Sequence, residues 1–290
     1  MSLLQVIILA VVQGLAELLP ISSSAHVVVA EKLLGLDPSS PPMTLLLVML
    51  HTGTMFAVIV YFWRQWRDTY FKSLRIFKTA AVQLIVATAV TVVVGETVVS
   101  LLERTVLRDS PNVEIESLFS RLDLIAPALA AAGLLILIAG ILERRKAIQP
   151  STAATDDLTG MRAAIIGLIQ GFCLPFRGFS RSGATISTGM LLGVAKTRAE
   201  AFSFALAVVL TPPVVFREVL RLVRAGHDNG SSNLTSVAII SVLGALIAFA
   251  AGLLALNWLS RWLEGGRWYL FGIYCLVAAL AVMVLHQRGY

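Results

Sequence analysis

The sequence predicts an all-α polytopic membrane protein, built as an inverted repeat with two re-entrant helical hairpins and six transmembrane helices. The first observation behind this prediction is composition. Of the 290 residues, 57% are hydrophobic and only 14% are charged, and the mean hydropathy is +0.84. A soluble domain of this length could not bury so much apolar surface. The other two observations are an internal duplication and an uneven distribution of Lys and Arg between the loops.

The duplicated stretch begins at Gln13 and again at Gln170, in each case directly after an apolar run. Both copies continue from Gln-Gly through a proline to a Ser-x-Ser-small tetrad, and both end at Leu-Leu-Gly. The tetrads begin at Ser22 and Ser180, so the offset is 157 residues at the glutamines and 158 at the serines. Repeats of this kind are typical of membrane proteins with two structurally related halves.

Each copy predicts a helical hairpin that enters and leaves the membrane on the same side. Pro20 ends a first helix within residues 1–19, and the serines that follow are good N-caps for a short helix near 23–35. The second copy predicts an equivalent hairpin within about 162–195. Because a broken backbone at membrane depth must be buried in protein or line a cavity, we expect both breaks to lie inside the protein.

Six further apolar stretches are long enough to cross a membrane as helices. They cover residues 43–63, 79–102, 121–142, 201–220, 235–256 and 268–286. We interpret the chain as a single integral membrane domain. Repeat one extends over about 1–142, a cytoplasmic linker over about 143–160, and repeat two over about 161–290.

The distribution of Lys and Arg between the loops predicts the orientation of the chain in the membrane. The loops on one side (64–78, 143–162, 196–198 and 261–267) contain 13 Lys and Arg residues, and those on the other side contain eight. By the positive-inside rule the first side is cytoplasmic, so the first hairpin enters from outside and the second from the cytoplasm. This places the two serine-rich turns tip to tip near the bilayer midplane. The net charge of +6 therefore indicates membrane topology rather than a nucleic-acid partner.

The first copy contains unusual polar residues for a membrane helix. Gln13 and Glu17 are four residues apart and share one helical face, and a carboxylate within the membrane is by default a functional candidate. Ser22 and Ser23 are positioned to cap the next helix, where backbone amides also favour an anion. His26 follows Ser23 by three residues and can face the same pocket. Structural roles, as a core histidine or as hydrogen-bonding and capping groups, remain the alternatives.

The second copy predicts a phosphate cradle at a helix start. Arg181 lies between Ser180 and Ser182, and a guanidinium group can bind a phosphate through two parallel hydrogen bonds. Thr185 extends the same polar face. Arg181 is too far from either end of the hairpin to reach the membrane surface. Arg177 is interpreted either as a second phosphate ligand or as a structural partner for the carboxylate of the first copy.

Four other ionisable residues are interpreted as packing or span-end residues: His51, Glu96, Asp123 and Glu200. Of these, only His51, in the sequence His51-Thr52-Gly53-Thr54, is retained as a functional candidate.

These motifs resemble those of a known family. Gln13-Gly14-x-x-Glu17 followed by Pro20-x-Ser22-Ser23-x-x-His26, together with the run from Gly178 to Thr185, is similar to the two signature motifs of the bacterial undecaprenyl pyrophosphate phosphatases, the bacitracin-resistance protein family. The similarity covers nearly the whole chain. Two departures stand out: Gln13 replaces a position that is often Glu, and Arg177 replaces a proline.

The resemblance implies an enzyme of the bacterial inner membrane that hydrolyses undecaprenyl pyrophosphate to the monophosphate carrier, on the outer face and with a divalent cation, Mg²⁺ or Ca²⁺. It implies that Glu17, Ser23, His26, Ser180, Arg181, Ser182 and Thr185 lie in the site. In this interpretation Glu17 and Gln13 hold the cation, Arg181 stabilises developing charge, Ser23 is the nucleophile and His26 the acid or base. A metal-activated water remains an alternative nucleophile.

The alternative function is a membrane transporter or flippase for a phosphorylated lipid or small anion, because inverted repeats with broken helices are also the architecture of carriers. A purely structural membrane protein would not explain an acid and a guanidinium group at the two breaks. The expected partners are a polyprenyl diphosphate and membrane lipids, and the sequence leaves a homodimer open.

Overall fold

The computed structural model describes residues 1–37, 40–105, 121–148, 158–227, 234–263 and 266–289. All regular secondary structure in these ranges is helical, as predicted. The described ranges contain ten helices. They are α1 (Leu3–Leu18), α2 (Ser23–Leu33), α3 (Pro41–Tyr70), α4 (Leu74–Thr105), α5 (Leu122–Ile148), α6 (Gly160–Cys173), α7 (Arg181–Leu191), α8 (Lys196–His227), α9 (Leu234–Leu263) and α10 (Tyr269–Gln287).

Six of these helices are long and apolar enough to cross a membrane, and each coincides with a predicted span. They are α3, α4, α5, α8, α9 and α10. Large apolar side chains on them are mostly uncovered by protein; on α4, for example, Ile85 and Val93 are each 66% exposed. Apolar surface of this kind requires lipid. The chain is therefore a multi-pass membrane protein. Half of the predicted cytoplasmic linker, residues 149–157, lies outside the described ranges.

The four short helices form the two predicted broken pairs, α1 with α2 and α6 with α7. Ser22 caps α2 by accepting a hydrogen bond from the backbone N–H of Ala25, and Ser180 caps α7 through Gly183 in the same way. The second helix of each pair thus begins at an equivalent position. Because serine oxygens satisfy amides that lack partners within the helix, the local sequence determines where both helices begin.

The first helix of each pair packs against the fourth helix of the other half: α1 contacts α9, and α6 contacts α4. The glycine of each Gln-Gly pair permits this close approach. A Cβ on Gly14 would lie 2.6 Å from the Cβ of Ala251, and one on Gly171 would lie 2.7 Å from the Cβ of Val94. Because the first helix of each half packs against the fourth helix of the other half, the arrangement agrees with a two-fold relation between the halves. The re-entrant path and the inverted orientation remain predictions.

The serine-rich turns of the two pairs touch each other. The backbone N–H of Gly178 donates to the Ser24 hydroxyl at 3.4 Å, and the Ser182 hydroxyl donates to the carbonyl of Leu19 at 3.4 Å. Gly178 has a φ of +104°, a conformation that glycine adopts without steric cost. The turns are therefore held together through backbone groups, which brings the polar side chains of both copies into one region. Their depth in the membrane remains a prediction.

Candidate functional site

The carboxylate of Glu17 is the centre of the polar contacts between the two copies. Its Oε1 accepts a hydrogen bond from a terminal nitrogen of Arg181 at 2.7 Å. Its Oε2 accepts one from the Ser23 hydroxyl at 2.5 Å and one from the Gln13 amide at 3.0 Å. The structure therefore brings together four residues that the sequence analysis placed in the site.

The local structure explains this convergence. Gln13 and Glu17 lie one turn apart in the last part of α1, so their side chains project from the same face. Ser23 and Arg181 are the first residues of α2 and α7, the two helices whose N-terminal ends meet at the turns. A helix N-terminus carries partial positive charge from unpaired amides. Both helices therefore favour an anionic group at the place where the carboxylate lies.

The ion pair between Glu17 and Arg181 is largely shielded from water, so its loss should destabilise the protein. The Glu17 side chain is 11% exposed and that of Arg181 is 30% exposed. A carboxylate removed from water is costly unless charged or hydrogen-bonding groups compensate, and removing one partner of a buried pair typically costs about 3–5 kcal/mol. Because Arg181 is partly exposed, the loss here should fall toward the lower end of that range. The pair also connects the two halves of the chain.

A pocket opens beside the carboxylate between α3 and α8. Glu17, Arg181 and His51 form its polar wall, and Thr54 and Thr211 add hydroxyl groups. The rest of the lining is apolar: Leu18, Met55, Val58, Phe204, Ala207 and Val208. Its empty space is about 300 Å³, part of which is continuous with the exterior. A polar end and an apolar wall suit an anionic head group with an attached hydrocarbon chain.

His26 is placed differently from the expectation. Its Nδ1 donates to the carbonyl of Ser22 at 2.8 Å, and its Nε2 lies 2.7 Å from the hydroxyl of Tyr274, against which the imidazole ring stacks. It does not line the pocket beside Glu17. In this conformation His26 connects the start of α2 to α10. Its acid–base role remains a prediction.

The hydroxyls predicted to bind phosphate are mostly engaged within the protein. Ser22 and Ser180 cap their helices, and Ser182 donates to a backbone carbonyl. Thr185 is fully buried and lies 2.6 Å from the hydroxyl of Ser203 on α8, while donating to the carbonyl of Arg181. Of the predicted phosphate-binding residues, only Arg181 lines the pocket. The other assignments remain predictions, and these contacts also position the turn.

Arg177 does not contact Glu17; the residue of the second copy that pairs with this carboxylate is Arg181. Arg177 instead interacts electrostatically with Glu31, a fully buried residue near the end of α2. Arg177, one of the two departures from the family motif, therefore interacts electrostatically with the first copy at a second place.

His51 is the site residue to which the sequence analysis gave too little weight. Its Nε2 lies 3.6 Å from Oε2 of Glu17, and its side chain is 42% exposed toward the pocket. The signal was the short polar run His51-Thr52-Gly53-Thr54 inside an apolar span. Its proximity to Glu17 depends on packing between α1 and α3, which one sequence does not reveal.

The donor groups fit a divalent cation, although no cluster of three or more His, Cys, Asp or Glu side chains suited to a metal occurs in the described part of the chain. Glu17 provides a carboxylate, and the Oε1 atom of Gln13 is a buried amide oxygen without a hydrogen-bond partner among the described residues. Oxygen donors of these two types suit Mg²⁺ and Ca²⁺, and Mg²⁺ commonly takes its remaining ligands from substrate phosphates and water.

Comparison with known proteins gives a consistent picture. A family model described as "Bacitracin resistance protein BacA" matches residues 6–281. The chain is 55% identical over 288 residues, 98% of both chains, to "Undecaprenyl-diphosphatase 2" of Acinetobacter baylyi. It is 33% identical to "Undecaprenyl-diphosphatase" of Rhodopirellula baltica, over 99% of both chains. It is 34% identical to the protein of the same name from Gluconacetobacter diazotrophicus, over 96% of this chain and 95% of that one. The chain belongs to the bacitracin resistance protein BacA family.

Proposed function

We propose that this protein is a phosphatase that hydrolyses undecaprenyl diphosphate to undecaprenyl phosphate and inorganic phosphate, and so recycles the lipid carrier used in cell-wall synthesis. The relatives with 33–55% identity over nearly their full length are named undecaprenyl-diphosphatases. The observation that carries the proposal is the set of contacts at Glu17, where a serine hydroxyl and a guanidinium group meet one buried carboxylate.

Ser23 is the proposed nucleophile. Its hydroxyl already donates to Glu17 at 2.5 Å, so the carboxylate can take the hydroxyl proton as Oγ attacks the terminal phosphorus. The bond from that phosphorus to the bridging oxygen breaks, and its electron pair leaves with undecaprenyl phosphate. Water then releases the phosphate from Ser23 and restores the hydroxyl. A water molecule held at the same carboxylate oxygen is the competing nucleophile.

Arg181 has two roles in this proposal. Before the reaction its guanidinium group holds Glu17 in position. When the carboxylate accepts a proton it loses its charge, so the attraction of Arg181 for it falls and the guanidinium group can turn to the phosphoryl oxygens. Charge that develops on those oxygens is stabilised by fixed donors of this kind.

Glu17, the Oε1 atom of Gln13 and the diphosphate are the groups that would hold a divalent cation. Bound there, Mg²⁺ or Ca²⁺ would neutralise part of the charge of the diphosphate.

The surroundings of the site support its location. The pocket residues lie near the middle of α3 and α8, which corresponds to the membrane interior. The apolar wall would contact the first part of the prenyl chain, with the remainder among the membrane lipids. From the loop charges we propose a bacterial inner-membrane location and a site open to the extracytoplasmic side. A homodimer is compatible with the exposed apolar surface.

A transporter is the weaker alternative, because the named relatives are diphosphatases. The test is phosphate release from undecaprenyl diphosphate by the purified protein in detergent, with and without a chelator. The proposal expects release that the chelator suppresses, loss of release in Ser23→Ala and retention in Ser24→Ala. Absence of phosphate release from the native protein under all cation conditions would contradict it. Substantial activity in Ser23→Ala would favour water as the nucleophile.

A further inference from the structure

The orientation of His51 is fixed by its backbone contact. Its Nδ1 lies 2.8 Å from the carbonyl oxygen of Leu47, one turn earlier on α3. A carbonyl oxygen can only accept, so Nδ1 carries a hydrogen, and in the neutral ring Nε2 presents its lone pair toward the pocket. A histidine whose second nitrogen donates to a backbone carbonyl is a common arrangement for a metal ligand.

The separation between His51 and Glu17 has the size expected for two ligands of one ion. Nε2 of His51 lies 3.6 Å from Oε2 of Glu17, which is too long for a good hydrogen bond. Two ligand atoms at bond lengths near 2.1 Å around a tetrahedral ion are about 3.4 Å apart. When the imidazole is neutral, its Nε2 lone pair faces an anionic oxygen at this distance, and a cation between the two atoms is attracted by both.

We propose that His51 is a cation ligand in this protein and that its imidazole lies in the same cation site as the carboxylate of Glu17 and the amide oxygen of Gln13. The inference rests on the proposed function only for the role of the cation in hydrolysis. An imidazole nitrogen binds Mn²⁺, Co²⁺ or Zn²⁺ more strongly than Mg²⁺ or Ca²⁺, which prefer oxygen. The imidazole should therefore strengthen the binding of a first-row transition cation more than the binding of Mg²⁺ or Ca²⁺.

Gln13 contributes a third donor to the same site. Its Nε2 donates to Oε2 of Glu17 at 3.0 Å, while its Oε1 is buried without a hydrogen-bond partner among the described residues. A half-turn of the amide exchanges the two atoms and places an oxygen about 3.0 Å from Oε2. Neighbouring ligands at about 2.1 Å from an ion are about 3.0 Å apart in an octahedral site and about 3.4 Å apart in a tetrahedral one, so both separations fit a cation site. In a chain without a second carboxylate at this position, His51 and the Gln13 amide complete the ligand set.

The test is direct binding of Co²⁺, without substrate, to the chelator-treated full-length protein in detergent. The visible absorption of Co²⁺ reports nitrogen and oxygen ligands, and Ca²⁺ binding is measured by calorimetry on the same samples. The native protein should bind one Co²⁺ per chain. His51→Gln should weaken Co²⁺ binding by about tenfold or more, but Ca²⁺ binding by less than about threefold, because calcium gains little from the imidazole.

Two further variants make the result specific. His286→Gln removes an imidazole at the end of α10 and should leave the Co²⁺ spectrum unchanged, which controls for binding at the surface. His51→Cys places a thiolate at the same position and should produce a sulfur-to-cobalt charge-transfer band that the native protein lacks. This variant tests the position even if His51→Gln does not fold.

The outcomes separate this inference from the proposed function. Failure of the native protein to bind Co²⁺, or equal Co²⁺ affinity in the native protein and His51→Gln, would overturn the cation site. Normal Co²⁺ binding with no phosphate release in the presence of Co²⁺, Mn²⁺, Mg²⁺ or Ca²⁺ would instead refute the hydrolase and leave the cation site standing.

Discussion

The two copies of the duplicated stretch have the same backbone plan but different polar side chains. Gln13 and Gln170 are equivalent and both fully buried. Gln13 donates to Glu17, whereas Gln170 donates to the Thr91 hydroxyl of the neighbouring helix α4. At the same offset, the position of Glu17 is occupied in the second copy by Leu174. The first copy thus provides the acid, while the same part of the second copy is used for packing.

The two copies also differ in the first residue of the second helix of each pair. Ser23 and Arg181 are equivalent first residues of α2 and α7, and both donate to Glu17. The duplication brings two helix N-termini to one place, and the sequence differences then give one a hydroxyl and the other a guanidinium group. The comparison shows that the repeat determines the geometry, whereas the chemistry depends on the residues that differ between its copies.

The largest effect is expected for Glu17→Gln. The amide cannot accept the hydroxyl proton, and it leaves Arg181 without its anionic partner, so phosphate release should fall by about 100-fold or more. The matched control is Leu174→Gln, at the equivalent position of the second copy, which is 48% exposed and should retain most of the activity. Equal losses of activity in the two variants would contradict the functional difference between the two copies.

A smaller loss is expected for Arg181→Lys. The ammonium group keeps the charge but cannot hold two oxygens in the fixed fork of a guanidinium group, so kcat should fall by about tenfold or more. Arg177→Lys is the comparison, because Arg177 does not line the pocket. In this variant kcat should fall by less than about threefold. Steady-state phosphate release gives both numbers. A greater loss in Arg177→Lys would transfer the phosphate-binding role to that residue.

The smallest effect is expected for Gln13→Glu. It places a second carboxylate one turn from Glu17, so a hard cation should be bound more tightly and the half-saturating Mg²⁺ or Ca²⁺ concentration should fall about three- to tenfold. Phosphate release measured against cation concentration tests this. An unchanged half-saturating concentration would show that position 13 is not near the cation.

Much of this arrangement could be predicted from the sequence. Apolar stretches of sufficient length located all six candidate spans, and the proline and serine residues located both breaks, because these features act locally. The i, i+4 spacing placed Gln13 beside Glu17. The repeat indicated that Arg181 and Glu17 would belong to one site.

The rest depended on packing between distant helices. His51 reaches Glu17 only because α3 packs against α1, and His26 turns toward Tyr274 on α10. The phosphate-binding role of Thr185 stays a prediction, but its contact with Ser203 on α8, which provides the partner that a buried hydroxyl requires, could not be predicted. A sequence pattern gives the face of a helix on which a side chain lies, but not the neighbour that it meets.

The central claim is that one residue from each copy forms a single functional pair, Glu17 with Arg181. A double-mutant cycle on thermal unfolding tests it directly, using Glu17→Gln, Arg181→Gln and the double variant in detergent. Each single variant leaves a partly buried group without its partner, so the two losses should not add, and the coupling should be about 1–2 kcal/mol. Strictly additive losses would contradict the pair and, with it, the account of one site built from two unequal copies.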